Sequence, residues 1–424
     1  MTAEVAVLNR SAVAVAADSA VTRGRNKVHV SANKIFQLHK QMPIGILVYN
    51  YADIFGLPWE LVIKSFREHI HDTTFTTLRD VCDRFVEFIQ GPSFLTDEAR
   101  ALDTLLLAMN HFDQMASGLS NQGKRNFNRL FADNLQAFAS TPADDLDAGQ
   151  QGFSLVKFRR EFGNLCRMVC GESNPYPPLS HANNVRFIES LYRMVTSELA
   201  SDYHSGFAIF GYGSTELLPS IAHYVVDGAP LGKLRILRNQ FSSITRTPDA
   251  NALVFAFAQQ DAATLFMEGI SPSLRRYFVE AMNRSLTGFS RKIHDEMRDR
   301  YRDPNEATVS RAIFDREINV FIKKFNETID SLVHKQHVSP IVSSVDGLAK
   351  EDMASLAESM VELASLRKKV SPDIETVGGP IDVAVVSKAD GFVWIKRKYY
   401  FDYALNRGFY QNYFKQRFDL DGRS

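Results

Sequence analysis

Two short stretches near the start of the chain, EVAVL (residues 4–8) and AVAVAA (residues 12–17), are apolar at nearly every position rather than at every second one. A strand that alternates apolar and polar residues can leave one face in water. One that is apolar throughout must be covered on both faces. Any fold for this chain therefore needs a sheet with a packed layer on each side. The turn-like NRS separates the two stretches, and KVHVSA and PIGILVYN continue the pattern, so residues 3–52 read as strands.

The period changes at Leu57. LPWELVIKSFREHI opens a helix with Pro58 in its first turn, and Leu78, Val81, Cys82, Phe85, Phe88 and Ile89 form one stripe ahead of a Gly-Pro stop. Residues 95–200 read as mainly helical. One face there is predicted to carry Leu102, Leu105, Leu106, Met109 and Phe112, another Phe158, Phe162, Leu165, Cys166 and Val169. Strands return at GFAIFGYG, SIAHYVVDG, KLRILRN and ALVFAFA, and a second helical stretch runs from about residue 261 to 370. PIDVAVVS, an Ala-Asp-Gly turn and FVWIKRK then read as a closing hairpin. Segregated blocks of strands and helices indicate an α+β class rather than alternating βαβ units.

With 49 basic and 49 acidic residues, no global field draws the chain toward nucleic acid or a membrane surface. Three cysteines are too few for a disulfide framework and suit a reducing compartment. Glu4 precedes the short apolar run after Arg10, which speaks against a signal peptide. No run approaches the roughly 18 apolar residues of a membrane span. The expected location is cytoplasmic. His69, His71 and Asp72 read as helix-end polar residues, Cys166 and Cys170 as core, and GYGSTE as a turn, since it lacks the lysine of a phosphate loop. No metal or cofactor is expected. The basic and aromatic residues of WIKRKYYFDYALN and YQNYFKQRF read as a strand end or a subunit contact rather than a nucleic-acid surface.

The first 34 residues hold a geometric coincidence. If the first two strands form a hairpin centred on Arg10, Asp18 faces Thr2. If the next reversal is centred near Asn26, Lys34 faces Asp18. The three side chains would then lie on adjacent strands about 5 Å apart. Removal of Met1 would leave a threonine whose hydroxyl and α-amine, the latter with a pKa of roughly 7.7–8.0, could serve as nucleophile and general base in one residue. Lys34 would supply positive charge, and Asp18 would hold that ammonium in place. The plainer alternative is a common Thr after Met, a turn Asp and an edge Lys.

These residues resemble the N-terminal nucleophile (Ntn) hydrolases of the proteasome β-subunit type. In that family the catalytic Asp and Lys follow the mature threonine at offsets of 16 and 32, as Asp18 and Lys34 follow Thr2 here. AADSAVTRG matches the family's Asp-Ser-x-x-Thr-x-Gly segment, with Thr22 at a substrate contact and Gly24 at the turn. NKIFQL matches the segment around the lysine, and SPDIETVGGPIDVAVVSKADGFVWI the closing helix-to-strand segment. The resemblance implies a four-layer αββα sandwich with large helical insertions. Its core would comprise residues 1–94, 205–270 and 348–424, with insertions at 95–204 and 271–347.

It further implies a threonine peptidase acting on a peptide or amide, with Asn50 and Ser19 as oxyanion and auxiliary residues. Val21, Thr22, Val48 and Ala52 would line an apolar substrate pocket. A homo-oligomeric ring or partial ring and an ATPase unfoldase are the implied partners. The sequence departs from the family where Asn50 stands in place of an oxyanion-hole glycine and Ala20 in place of an arginine. The auxiliary Ser and Asp are matched only loosely, by Ala258, Gln259 and Asp261 and by Asp373, Glu375 and Thr376. Activity on a small amide, or an inert binding module on the same fold, stays open.

Overall fold

The computed structural model describes residues 3–23, 27–29, 32–119, 122–142, 154–169, 176–247, 251–258, 260–297, 304–371, 377–399, 405, 406 and 408. The first half of the chain supplies β1 (Ala3–Asn9), β2 (Val13–Ala17), β3 (Val21–Arg23), β4 (Lys27–His29), β5 (Ile35–Gln37), β6 (Ile44–Asn50), β7 (Asp53–Ile54) and β8 (Leu57–Pro58). Six helices follow: α1 (Trp59–Ile70), α2 (Leu78–Ile89), α3 (Asp97–Ala116), α4 (Lys124–Ala139), α5 (Leu155–Val169) and α6 (His181–Thr196). Strands resume as β9 (Ser205–Gly211), β10 (Ser220–Val226), β11 (Ile236–Ser243) and β12 (Ala252–Ala258). The last third holds α7 (Gln260–Glu268), α8 (Pro272–Met297), α9 (Pro304–Val333), α10 (Ser339–Asp346) and α11 (Lys350–Lys369). It closes on β13 (Asp382–Ser387) and β14 (Gly391–Lys396).

Two five-stranded sheets result, ordered β12-β1-β2-β13-β14 and β11-β10-β9-β6-β5. Every strand pairing within them is antiparallel. The side-chain period of two divides β1 between two cores. Val5 and Val7 face outward onto Met353, Ala357, Met360 and Val361 of α11, where small residues let helix and sheet approach closely. Ala6 and Leu8 face inward and meet Leu47, Tyr49, Ala208 and Phe210 of the other sheet. The outer face of that second sheet is covered by α1 and α2. Trp59, Val62, Ile63 and Phe66 recur at helical spacing, and Thr77 and Asp80 close a capping box that starts α2. The covering that the opening strands demanded is met by helices outside and a second sheet inside.

Helices α3 to α6 pack a separate core around Phe112, Phe127, Phe131, Phe158 and Phe187. The predicted face of α3 is rotated. Leu102 and Met109 are exposed, and the buried side carries Asp103, Thr104, Asn110 and His111 together with Leu107 and Phe112. The polar members are buried because each has a partner: Asp103 takes Ala229 N–H, Asn110 Nδ2 donates to Asp202, and His111 pairs with Ser190. The third strand of the middle block, expected over KLRILRN, begins at Ile236 because Arg235 is turned into the interior. No described helix is long and apolar enough to cross a membrane.

Candidate active site

The β1–β2 register places Glu4 opposite Ala17 and Leu8 opposite Val13. That register is one residue off the predicted mirror, because the connecting loop is longer than NRS. Asn9 accepts the N–H groups of Ser11 and Ala12 on its side chain and donates its own N–H to Ala12 O, which builds a wider turn. The backbone N–H of Asp18 consequently bonds Ala3 O at 3.1 Å, and Asp18 Oδ1 accepts the N–H of Ala3 at 3.1 Å. Thr2 lies outside the described residues. Ala3 N, the peptide nitrogen joining Thr2 to the strand, is thus held directly by the Asp18 carboxylate.

The second predicted mirror also shifts. β3 and β4 pair Val21 with His29 and Arg23 with Lys27, forming a small ribbon of their own. Lys34 is not on a strand beside Asp18. It stands just ahead of β5, at the edge of the second sheet, with its carbonyl bonded to Val48 N–H at 2.9 Å. From there its Nζ reaches back across the gap between the sheets and hydrogen-bonds Asp18 Oδ1. Sequence spacing thus pairs the correct residues through an incorrect geometry.

Asp18 is buried and receives four donors: Ala3 N–H and Lys34 on Oδ1, Ala20 N–H at 3.3 Å and Gly378 N–H at 2.9 Å on Oδ2. Acceptance on both oxygens is the bonding set of an ionised carboxylate. Ser19 is fully buried. Its hydroxyl donates to Pro380 O and its N–H to Gly378 O, so it fastens this turn to the 377–380 segment. Gly379 there has φ +80°, a conformation that favours glycine.

Glu4, which the sequence reading did not single out, is a second carboxylate on the same ammonium. Its Oε1 lies 3.1 Å from Lys34 Nζ, and both side chains are buried. The signal was present as one acidic residue in a strand otherwise apolar on both faces, where a buried charge requires a partner. Next to it, Tyr49 hydrogen-bonds His223 Nε2 across the second sheet. Burial and the Glu4 charge hold the Tyr49 hydroxyl in its protonated form, well above the usual phenol range. Burial and Arg238 push the His223 imidazole down to about 4. One lysine, two carboxyl groups and a neutral Tyr–His pair thus make a polar layer between the sheets.

Asn50 ends β6 with φ +64°, a left-handed conformation that Asn tolerates better than most residues. Its Nδ2 lies 2.7 Å from His204 Nε2, while His204 Nδ1 faces the carbonyl of Ser201. A carbonyl only accepts, so Nδ1 carries the hydrogen and Nε2 accepts from the amide. The Asn50 side chain is fixed toward β9.

Of the expected pocket residues, Val48 is buried in the core with Ile46 and α1, and Val21 and Ala52 are half-buried. Thr22 pairs with Val28 in the ribbon. Ala258 has φ +57° at the end of β12, and Asp261 is exposed in α7, 3.9 Å from Arg367. Gly24, Cys170, Gln259, Asp373, Glu375, Thr376 and the YQNYFKQRF segment lie outside the described residues. Cys82 and Cys166 are buried in separate cores. Burial raises the Cys166 thiol to about 12, so it is a packing residue rather than a nucleophile.

No family model matches the chain, and no curated protein matches it. Among solved structures it is similar to the Anbu (Gly-1) mutant from Hyphomicrobium sp. strain MC1, at 11% identity and a TM-score of 0.28, covering 99% of this chain and 97% of that one. It is similar to Anbu (ancestral beta-subunit) from Yersinia bercovieri at 9% identity and a TM-score of 0.29, covering 100% and 99%. The helical assembly of the Anbu complex from Pseudomonas aeruginosa gives 10% identity and a TM-score of 0.29, covering 100% and 98%. Similarities this low carry no argument about the activity of this chain.

Proposed function

We propose that the protein is a threonine-type N-terminal nucleophile amidohydrolase acting on peptides, formed when loss of Met1 exposes Thr2. The observation that carries this reading is the convergence of Asp18 and Lys34 on the head of β1, with Ala3 N–H bonded to the Asp18 carboxylate. Two facing sheets with helices on both outer faces support the αββα architecture of the family that the N-terminal motifs resemble.

In the proposed reaction Thr2 Oγ attacks the amide carbonyl while its α-amine takes the hydroxyl proton and passes it to the leaving nitrogen. Water then hydrolyses the resulting ester. Lys34 lowers the cost of the developing alkoxide, Asp18 keeps the ammonium oriented, and the Asn50 N–H is assigned to the oxyanion. Val21, Thr22, Val48 and Ala52 are assigned to the substrate side, and Ser19 to bracing the turn. A homo-oligomer and an ATPase unfoldase belong to the same reading, with residues 95–204 and 271–347 as insertions on the core.

A second reading, an inert binding module, is favoured by one observation: Glu4 opposes the positive charge that Lys34 would lend to Thr2. Intact mass and labelling separate the two. The hydrolase loses Met1 and reacts at Thr2 with an electrophile that needs both the hydroxyl and the α-amine. Its Thr2→Ala variant is dead toward a peptide library and toward a small-amide panel. Retained Met1, or full turnover by Thr2→Ala, overturns the hydrolase assignment.

A further inference from the structure

Among the described residues, α8 and α9 contribute nothing to the four buried apolar cores of the molecule. They pair with each other instead. Ser290 Oγ donates to Asp315 Oδ1 at 3.2 Å toward one end and Arg275 meets Asp330 toward the other, so the two helices run antiparallel. Val279, Met282 and Leu286 of α8 and Ile318, Ile322 and Ile329 of α9 share the faces of those contacts at spacings of three and four, and all are half-buried. This seam is the whole interior of the hairpin, because two helices alone cannot enclose a core.

Each helix carries a second apolar stripe, one residue ahead of its seam: Leu274, Phe278 and Phe289 on α8, and Phe314, Phe321, Phe325 and Leu332 on α9. One residue back is a turn of about 100° on either helix. Because the helices are antiparallel and face each other, that turn brings both stripes to the same side of the hairpin. The ion pair and hydrogen bond that fix the register then set Phe289 beside Phe314, Phe278 beside Phe325 and Leu274 beside Leu332. The Phe321 and Phe325 rings stack at 6.3 Å. All seven side chains are exposed, by 40% to 63%. With about 200 Å² for a whole aromatic side chain, they leave roughly 600 Å² of apolar surface in water, at the upper end of what a monomer shows.

We propose that this face docks on the same face of a second copy of the chain, about a two-fold axis parallel to the hairpin, to close an antiparallel four-helix bundle. The area fits that occupant: a standard interface buries about 800 Å² per partner, and about 65% of a homodimer's is apolar. The rows also fit. With the axis along the hairpin, Phe289 and Phe278 of one copy meet Phe314 and Phe325 of the other at matching heights. The charges at the rim agree with the same pairing. Glu317 comes opposite Gly288, between Arg284 and Lys292, and nothing stands within 4 Å of where a Gly288 Cβ would be. A glycine inside a helix costs about 1 kcal/mol relative to alanine, and here it leaves room for the glutamate. The face belongs to residues 271–347, outside the segments that carry the family resemblance, so it is separate from the ring implied by that resemblance and independent of the hydrolase reading.

Sedimentation of the full chain reads the association directly. Self-association with a Kd near or below about 1 μM is expected. Phe321→Glu and Phe278→Glu, both at exposed positions, should keep the helical circular dichroism and weaken it about 100-fold, so that the particle mass falls to half or less. The orientation is read by cross-linking. Gly288→Cys combined with Glu317→Cys should form a disulfide-linked dimer under mild oxidation, which neither single variant does, because the two positions lie on opposite edges of one hairpin. A chain that stays monomeric at about 100 μM, a particle mass that both glutamate variants leave unchanged, or a double-cysteine variant that forms no intermolecular disulfide overturns the proposal. So does binding of the monomer to phosphatidylglycerol vesicles that Phe321→Glu abolishes, which would assign the face to a membrane surface.

Discussion

Lys34 and Arg235 are both buried cations paired with a buried aspartate, yet their surroundings differ in kind. Arg235 directs its guanidinium at Asp227 and at the carbonyls of Met194, Val195, Ser197 and Leu199, tying α6 and the loop after it to the turn between β10 and β11. One carboxylate and four neutral carbonyls leave no excess charge. Lys34 instead faces two carboxylates and, among the described residues, no carbonyl partner, beside a Tyr–His pair held neutral by burial. A structural ion pair is saturated by the backbone. On the hydrolase reading, the Lys34 cluster lies beside Thr2, where two carboxyls on one ammonium can bias its titration.

The comparison breaks most visibly if the Arg235 cluster is opened. Arg235→Met strands Asp227 and four carbonyls in the interior and should lower unfolding stability by about 3–5 kcal/mol, read by denaturant titration. Lys34→Met should cost less, because Asp18 keeps three N–H donors, and on the hydrolase reading it should abolish turnover. Equal losses of stability with turnover retained would erase the distinction drawn between the two clusters.

A smaller effect follows from the buried titrating groups. His111 and His223 have folded pKa values of about 4, both lowered by burial. Stability that depends on their neutral form is present above the ordinary histidine value, about 6.5, and is lost as pH falls toward 4. Asp103 acts with the opposite sign. Its carboxyl is raised to about 7, so its contribution is full below the ordinary aspartate value, about 3.9, and is lost as pH rises through 7. Asp103→Asn should therefore raise stability at about pH 8 by on the order of 1–3 kcal/mol and steepen the fall in Tm from neutral to mildly acidic pH. A parallel shift across the range would mean that Asp103 titrates normally.

The smallest effect sharpens the role of the second carboxyl on Lys34. Glu4→Gln removes one negative charge beside Lys34. On the hydrolase reading, the α-amine of Thr2 then loses proton affinity, and the acidic limb of the kcat/KM profile moves down by about one pH unit. An unmoved limb would assign Glu4 to packing alone.

Much of the architecture was legible in local pattern. Strands apolar on both faces announced a doubly covered sheet, and helical stripes located α1, α2 and α5. The Asp18–Lys34 pair was legible from spacing, although the reading placed both on adjacent strands and the fold joins them across two sheets. The buried face of α3 was not legible, because hydrophobic periodicity does not anticipate Asp103, Asn110 and His111 facing inward onto partners remote in sequence.

The sequence by itself determined which segments become strands and helices, since that choice rests on side-chain period and turn chemistry within a few residues. Only the tertiary structure decided that Glu4 shares Lys34, that Gly378 completes the Asp18 carboxylate, that His204 holds Asn50, and that Asp103 caps Ala229 N–H. Most of these contacts close between residues far apart in the chain, and all depend on how the strands and helices are stacked. Burial then gives each its consequence, because a charge or hydrogen-bonding group removed from water must find its compensation in whatever the fold brings beside it.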